Sequence, residues 1–243
     1  MTMLDWLMRS PRETPSIEIA GQVLPIVVRR LAQARRMTLR LAPDGSEVRL
    51  SIPRWGRTAE AVAFARARRD WLESQLAALP RAQAPAPDGM LTYRGAVLRI
   101  AHDPARRRKP ELAERTIIIG GPAESLPARL KRWLEGEARA VMTEDLTHYC
   151  ALAGKPMRKL ALTSAQRRWG SCGPDGAIRI NWRLIMAPDF VRRSVVAHEV
   201  AHLVHFDHSP RFHALLDELF EGSIDEANAW LKREGRKLYA AFG

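Results

Sequence analysis

The stretch that decides the fold lies in the last third of the chain and is His198-Glu199-Val200-Ala201-His202, followed after five more residues by His208. Residues four apart lie on one face of an α-helix, so His198 and His202 can direct their imidazoles at one cation. Glu199 sits about 100° further around the helix, where it can act as a general base on a water bound to that cation. The spacing therefore predicts a zinc site with a carboxylate beside it, which is typical of a hydrolase.

The third ligand has to come from outside this pentapeptide, because a catalytic zinc usually has three protein ligands and one open position. Three histidines compete for the place: His205, His208 and His213. Seven residues of straight helix would put His205 about 10 Å from His198, too far to share the ion easily. Ser209-Pro210 resembles a cap and the first position of a new helix, so the preceding turn can bring His208 back. We predict His208 as the third ligand and keep His213 in reserve.

A chance match on a solvated helix face is the alternative to a metal site. The residues around the motif argue against it, because they form an apolar run that includes Val195-Val196-Ala197, Val200-Ala201 and Leu203-Val204. Such a helix is expected to be buried around the motif. Buried imidazoles and a buried carboxylate need partners, and a metal ion with its water satisfies all of them.

Several segments around the motif are shared with a known family. They are Arg168-Trp169-Gly170-Ser171-Cys172, Ile178 to Leu184, Ala187-Pro188, His198 to His202 and His208 to Phe212. Over about residues 160 to 215 the chain resembles the YgjP-like metallopeptidases, zincin relatives of the SprT-like proteases. The resemblance implies a minimal zincin fold, a zinc ion held by His198, His202 and His208, and Glu199 as catalytic base. It also implies an alternative, since a pyrophosphohydrolase activity on uridine triphosphate has been attached to the family.

Substrate contacts are predicted in the segment before the metal helix. In zincins an edge strand beside that helix pairs with an extended peptide, and residues 177–182 are the candidate by position. We predict Arg168, Trp169 and Asn181 as substrate-binding residues. For Trp169, packing in the core is the stronger alternative. Arg168 is open between pairing with a buried carboxylate and stabilising an oxyanion or a substrate phosphate.

The order of predicted elements indicates an α+β protein in two parts. Residues 1–122 form a β-rich region with one long helix over 58–79 and a Pro/Ala linker over 80–88. Residues 123–243 form the zincin-like catalytic domain, whose metal helix packs on a small sheet. Strands are predicted within 17–30, at 37–41, 47–52, 90–93, 96–101, 116–119 and 159–163, and helices at 126–152, 188–206, 210–220 and from the capping box at 223–226.

Composition limits the compartment and the partners. Two cysteines in 243 residues suit a reducing cytosol, and we expect a cytoplasmic enzyme because no secretion signal and no membrane-spanning run is evident. The net charge of +12 comes with arginine runs in the first half. Nucleic acid is therefore a possible partner of that half. The alternative is a generally arginine-rich composition with scattered, solvated charge.

Three functions of different class fit these observations. The first is a zinc metallopeptidase that cleaves a polypeptide substrate with a water activated by Glu199. The second is a metal-dependent pyrophosphohydrolase of uridine triphosphate, in which arginines clamp the phosphates. The third is a basic nucleic-acid-associated protein with a structural metal, but a structural zinc normally has a closed four-ligand shell and no use for Glu199. We predict the first.

Overall fold

The structure, a computed structural model, describes residues 15–42, 44–78 and 84–242. These residues form two compact units, which divide after Pro80. The second unit includes the sheet that spans residues 90–119, so it begins before the predicted catalytic domain at residue 123. The division of function at that residue stays a prediction. The predicted linker over 80–88 lies partly outside the described residues, and the start of the chain lies wholly outside them.

The first unit is a four-stranded sheet with two helices. Its strands are β1 Ser16–Ile19, β2 Gln22–Leu31, β3 Thr38–Leu41 and β4 Val48–Pro53, in the order β1-β2-β4-β3. Strands β2 and β4 are parallel, and the other pairs are antiparallel. Alternate strand residues point to one face, where Ile19, Ile26, Leu50 and Ile52 are buried together with Leu72 of the second helix.

The helix predicted over 58–79 is instead two helices, α1 Thr58–Arg66 and α2 Arg69–Ala77. Arg68, with φ −111° and ψ 23°, leaves the helical conformation between them. The sequence prediction was wrong here because residues 65–69 contain only alanine and arginine, with no glycine or proline to mark the break. Residue 79, the predicted end, lies outside the described residues.

The second unit begins with another four-stranded sheet, in the order β5-β6-β8-β7. The strands are β5 Met90–Tyr93, β6 Ala96–His102, β7 Glu111–Ala113 and β8 Thr116–Ile119. The strands predicted at 90–93 and 96–101 are confirmed and form a hairpin, in which both turn residues, Arg94 and Gly95, have positive φ, 48° and 80°. The short strand β7 was not predicted, because its three residues are all exposed and carry no alternation of burial.

Helix α3, Leu126–Leu152, packs beneath a three-stranded sheet and the metal-helix region. The small sheet consists of β9 Leu160–Thr163, β10 Gly170–Cys172 and β11 Ile178–Asn181. Its order is β10-β11-β9, so β11 is the central strand, antiparallel to β10 and parallel to β9. The expectation that residues 177–182 form the edge strand was therefore wrong. The edge strand of this sheet that contacts the metal helix is β10.

Three helices complete the unit: α4 Asp189–Ala201, α5 Pro210–Leu219 and α6 Ile224–Glu234. The capping serine is confirmed, because the hydroxyl of Ser223 accepts a hydrogen bond from the backbone N–H of Glu226. Helix α4 ends with His202 as its C-cap, earlier than the predicted residue 206. The observed mixture of small sheets and helices confirms the α+β prediction. No helix among the described residues combines the length and hydropathy that a bilayer crossing requires.

Candidate metal centre and active site

Three histidines converge where α4 ends and α5 begins. His198 and His202 lie one helical turn apart, and His208 is in the turn before Ser209, the residue that precedes α5. One ring nitrogen from each of the three lies within 4.8 Å of the other two. The Nε2 atoms of His198 and His208 are 3.3 Å apart. The structure thus brings together the three predicted ligands.

The second nitrogen of His202 is held by the backbone. Its Nδ1 lies 3.0 Å from the carbonyl oxygen of His205. A carbonyl oxygen only accepts, so Nδ1–H is the donor and Nε2 is left with its lone pair free for a metal ion. The short turn after α4 makes this contact, because it folds His205 back over the helix end. The role of His205 is therefore a backbone role, which the sequence did not reveal.

Burial favours the uncharged form of two of these imidazoles, His198 and His202. It lowers the pKa of His198 to about 4, and the neighbouring charges of His202, His208 and His213 act in the same direction. Burial also lowers the pKa of His202, although its hydrogen bond with the backbone of His205 opposes the change. Metal ions bind the neutral imidazole, so these two side chains are in the ligand form at neutral pH.

The distance between the ligand nitrogens shows whether a zinc ion would fit this site. Two nitrogens that each lie about 2.0–2.1 Å from a tetrahedral zinc are about 3.3–3.4 Å apart, and the two Nε2 atoms above are separated by 3.3 Å. Three imidazole nitrogens that leave a fourth position open form the ligand set of a catalytic rather than a structural zinc. The residues present therefore fit the ion.

Glu199 lies next to this cluster and is only 5 % exposed. Burial raises the pKa of Glu199 to about 7, while the charge of Arg168 and a hydrogen bond from the backbone N–H of Cys172 lower it. Strand β10 lies directly against the side chain, because a Cβ at Gly170 would be 2.7 Å from Cγ of Glu199. The strand thus fixes the carboxylate from one side. This close approach of Gly170 to Glu199 was not predicted from the sequence.

A small pocket of about 200 Å³ opens beside Glu199 and His198. Strand β10 with the residue before it, α4 and α6 all contribute to the lining. The lining residues are Trp169, Gly170, Ser194, Val195, His198, Glu199, Ile224, Asn228 and Leu231. The lining contains no lysine or arginine.

The three predicted substrate-binding residues lie in different settings. Arg168 is exposed, and no ion pair joins it to a carboxylate in the described ranges. Trp169 is half-buried, with its ring centroid 5.7 Å from that of Tyr239, and it also lines the pocket. Asn181 is fully buried: its amide nitrogen donates to Ala165 at 2.8 Å and to Tyr239 at 3.1 Å. A substrate contact by Asn181 would require these bonds to break.

A buried ion pair anchors the metal helix to α3. Arg192 of α4 is 2 % exposed, and its Nε donates to Asp145 of α3 at 2.7 Å. Arg192 also pairs with Asp189 at the start of α4, and Asp189 pairs in turn with Arg94 in the turn between β5 and β6. Burial alone would raise the pKa of Asp189, but the hydrogen bonds from Arg94 and Arg192 outweigh it and hold the pKa below its usual value. These contacts hold α4, and with it His198, in place against α3 and the turn between β5 and β6.

Fold, histidine cluster and buried glutamate together define a metallopeptidase-type site. The family comparison agrees: the profile described as YgjP-like, metallopeptidase domain, matches residues 35–234. The chain therefore belongs to the YgjP-like family, and the predicted resemblance is confirmed.

One solved structure is similar to part of the chain. The crystal structure of the metallopeptidase zymogen of Pyrococcus abyssi abylysin has a TM-score of 0.35 and 19% sequence identity, and the alignment covers 42% of this chain and 99% of that chain. A comparison with curated protein sequences finds no match.

Proposed function

We propose that this protein is a zinc-dependent peptidase whose ligands are His198, His202 and His208 and whose general base is Glu199. The observation that carries the proposal is the convergence of three imidazole nitrogens within 4.8 Å beside a carboxylate that is 5 % exposed. A structural metal site has no need for a buried carboxylate that is not a ligand.

Zinc held by the three histidines would supply a Lewis acid, which lowers the pKa of a bound water to about 7. Glu199 accepts the proton of the attacking water and returns it to the leaving amine. The backbone N–H of Cys172 and strand β10 hold the carboxylate in place for both transfers. The exposed Arg168, whose charge acts on Glu199, is the candidate to stabilise the oxyanion that develops on the substrate carbonyl.

Strand β10 is the edge that an extended peptide would pair with. The carbonyl of Trp169 and the N–H of Gly173 bond toward β11, so alternation directs the backbone groups of Gly170 and Cys172 away from it. The N–H of Cys172 already serves Glu199. Gly170 therefore offers the backbone groups for the substrate main chain, immediately beside the carboxylate.

The pocket supports a peptide rather than a nucleotide as substrate. Its 200 Å³ is below the range of about 300–1,000 Å³ typical of pockets for drug-sized ligands, and it suits a single side chain. Val195, Ile224 and Leu231 supply the apolar part of the lining, and Glu199 is the acidic side chain within it. A triphosphate would instead require cations in the lining. We infer that an apolar side chain of the substrate enters here.

The test is the substitution Glu199→Gln, which keeps the shape of the side chain and removes the base. Cleavage of unfolded, fluorescently labelled casein should fall by about 10²- to 10⁴-fold, while the zinc content of the purified protein stays at the wild-type value. Loss of zinc from this variant would contradict the assignment of Glu199 as base rather than ligand.

A second arm separates the substrate classes. Wild-type protein is assayed with casein and with uridine triphosphate, each with and without a chelator. Casein cleavage that the chelator abolishes supports the proposal. Hydrolysis of the nucleotide alone, abolished by the chelator and by Glu199→Gln, would replace it with the pyrophosphohydrolase.

A further inference from the structure

One end of the sheet in the first unit carries a group of exposed arginines. Strands β2 and β4 are parallel and end together, with Leu31 opposite Pro53. Strand β3 starts at the same end, where Thr38 is opposite Ser51. The residues that join β2 to β3 must therefore cross this end of the sheet, beside the turn that leads from β4 into α1.

Six exposed arginines lie at this end of the sheet: in the last residues of β2, in the connection from β2 to β3, and in the turn from β4 into α1. We call these six arginines, together with Trp55, the basic end. They are Arg29, Arg30, Arg35, Arg36, Arg54 and Arg57. Neither residues 20–42 nor residues 53–59 include an acidic side chain. None of the six forms an ion pair among the described residues of this unit, although Arg30 donates to the hydroxyl of Thr58 at 2.8 Å. The charge is concentrated and is available to an anionic partner.

Trp55 stands among these arginines and is 80 % exposed, the highest value among the large hydrophobic side chains of the described residues. The turn that carries it is closed by a hydrogen bond of 3.0 Å from the N–H of Gly56 to the carbonyl of Pro53. Gly56 packs tightly there, because a Cβ would be 3.2 Å from that carbonyl oxygen. A fixed turn thus presents an indole ring to solvent between Arg54 and Arg57.

We propose that the basic end binds single-stranded nucleic acid, with phosphates on the arginines and a base stacked on Trp55. Arginine clusters supply the electrostatic attraction to a phosphate backbone, and exposed aromatic rings stack on bases without regard to sequence. A single strand fits better than a duplex, because stacking requires an unpaired base. The turn is also neither a helix nor a β-ribbon of the kind that fills a major groove. This proposal is independent of the peptidase assignment.

The first experiment tests the stacking contact. Binding of the full-length protein to a fluorescein-labelled dT20 oligonucleotide is measured by fluorescence anisotropy. Trp55→Ala should weaken binding by about 5- to 150-fold, the range found for loss of one base–aromatic stack. The matched control is Trp71→Ala, because Trp71 is 41 % exposed on α2 of the same unit. Equal affinities for the Trp55→Ala variant and the wild type, or equal losses in the two variants, would overturn the stacking assignment.

The second experiment tests the arginines. In single strands each phosphate contact contributes about −0.7 to the slope of log K against log salt. The double variant Arg54→Ala/Arg57→Ala should therefore make the slope less steep by about 1.4. Arg106→Ala/Arg107→Ala removes the same charge from an exposed loop of the second unit and should leave the slope near the wild-type value. An equal change of slope in both double variants would show that binding depends on the overall charge of the protein and not on the basic end, and would overturn the proposal.

Two further probes test a DNA duplex and an anionic membrane as alternative partners of the basic end. A labelled 20-base-pair duplex should bind more weakly than dT20, and tighter binding to the duplex would overturn the single-strand assignment. Vesicles of phosphatidylglycerol test an anionic membrane as partner. Binding to these vesicles together with no binding to dT20 at low salt would assign the basic end to lipid instead. Thermal unfolding of each variant, expected to match the wild type at the exposed positions, verifies that the fold is intact.

Discussion

The substitution Gly170→Ala tests whether strand β10 holds the catalytic carboxylate. A methyl group there would lie 2.7 Å from Cγ and 2.8 Å from Cδ of Glu199, whereas carbon atoms in contact are normally about 3.5–4.0 Å apart. The glutamate side chain must therefore withdraw by about 1 Å. Gly170 is not among the glycines with positive φ, so the backbone itself accepts alanine. The perturbation acts on the side chain of Glu199.

The expected loss of activity is large because the displaced group transfers the proton. A misplacement of about 1 Å can reduce the rate by about 100-fold, which corresponds to about 2.7 kcal/mol of transition-state stabilisation. Overpacking of a buried contact also destabilises the fold by about 1–3 kcal/mol. The zinc content should stay at the wild-type value, because the closest atoms to the new methyl group belong to Glu199 and not to a histidine.

The measurement combines kcat/KM on labelled casein, zinc content and thermal unfolding. Gly136→Ala is the matched control, because Gly136 lies within α3 and a Cβ there meets nothing within 4 Å. This control should keep full activity and gain up to about 1 kcal/mol in the free energy of unfolding. A Gly170→Ala variant that binds zinc and stays within three-fold of wild-type activity would refute the reasoning. Loss of zinc in it would do the same.

Three further outcomes follow from the geometry. His208→Ala should abolish zinc binding, whereas His205→Ala should retain zinc, since His205 contributes only its carbonyl oxygen; metal analysis of both variants compares them. Asp145→Ala leaves Arg192 buried with only part of its pairing and should lower the free energy of unfolding by about 3 kcal/mol, measured by urea denaturation. Leu231→Ala enlarges the pocket beside Glu199, so cleavage sites mapped by mass spectrometry should shift toward larger apolar side chains; an unchanged profile would place the side-chain pocket elsewhere.

Local signals predicted much of the fold. Helix α3 has the predicted bounds, and its buried residues recur at mixed spacings of three and four, as at Met142, Asp145 and Tyr149 with Leu146, which is the spacing of one helix face. The strand order of the small sheet was not predictable in the same way. Ile178 to Asn181 would alternate identically in a central or an edge position, and only pairing with both β9 and β10 makes the strand central. Pairing depends on segments that are distant in sequence, so periodicity alone does not determine it.

The same distinction explains what was found and missed in the site. His198, Glu199 and His202 were found because their relation is fixed by one helix. Gly170 and Glu199 are 29 positions apart in the sequence, and their contact depends on the fold. A glycine in a sequence does not show whether it allows a turn or a close contact. The contact made by the backbone carbonyl of His205 could not be predicted for a different reason: every residue type at that position would supply a carbonyl oxygen. Such a contact constrains the turn geometry and not the residue type, so substituting the side chain tests it only as a control.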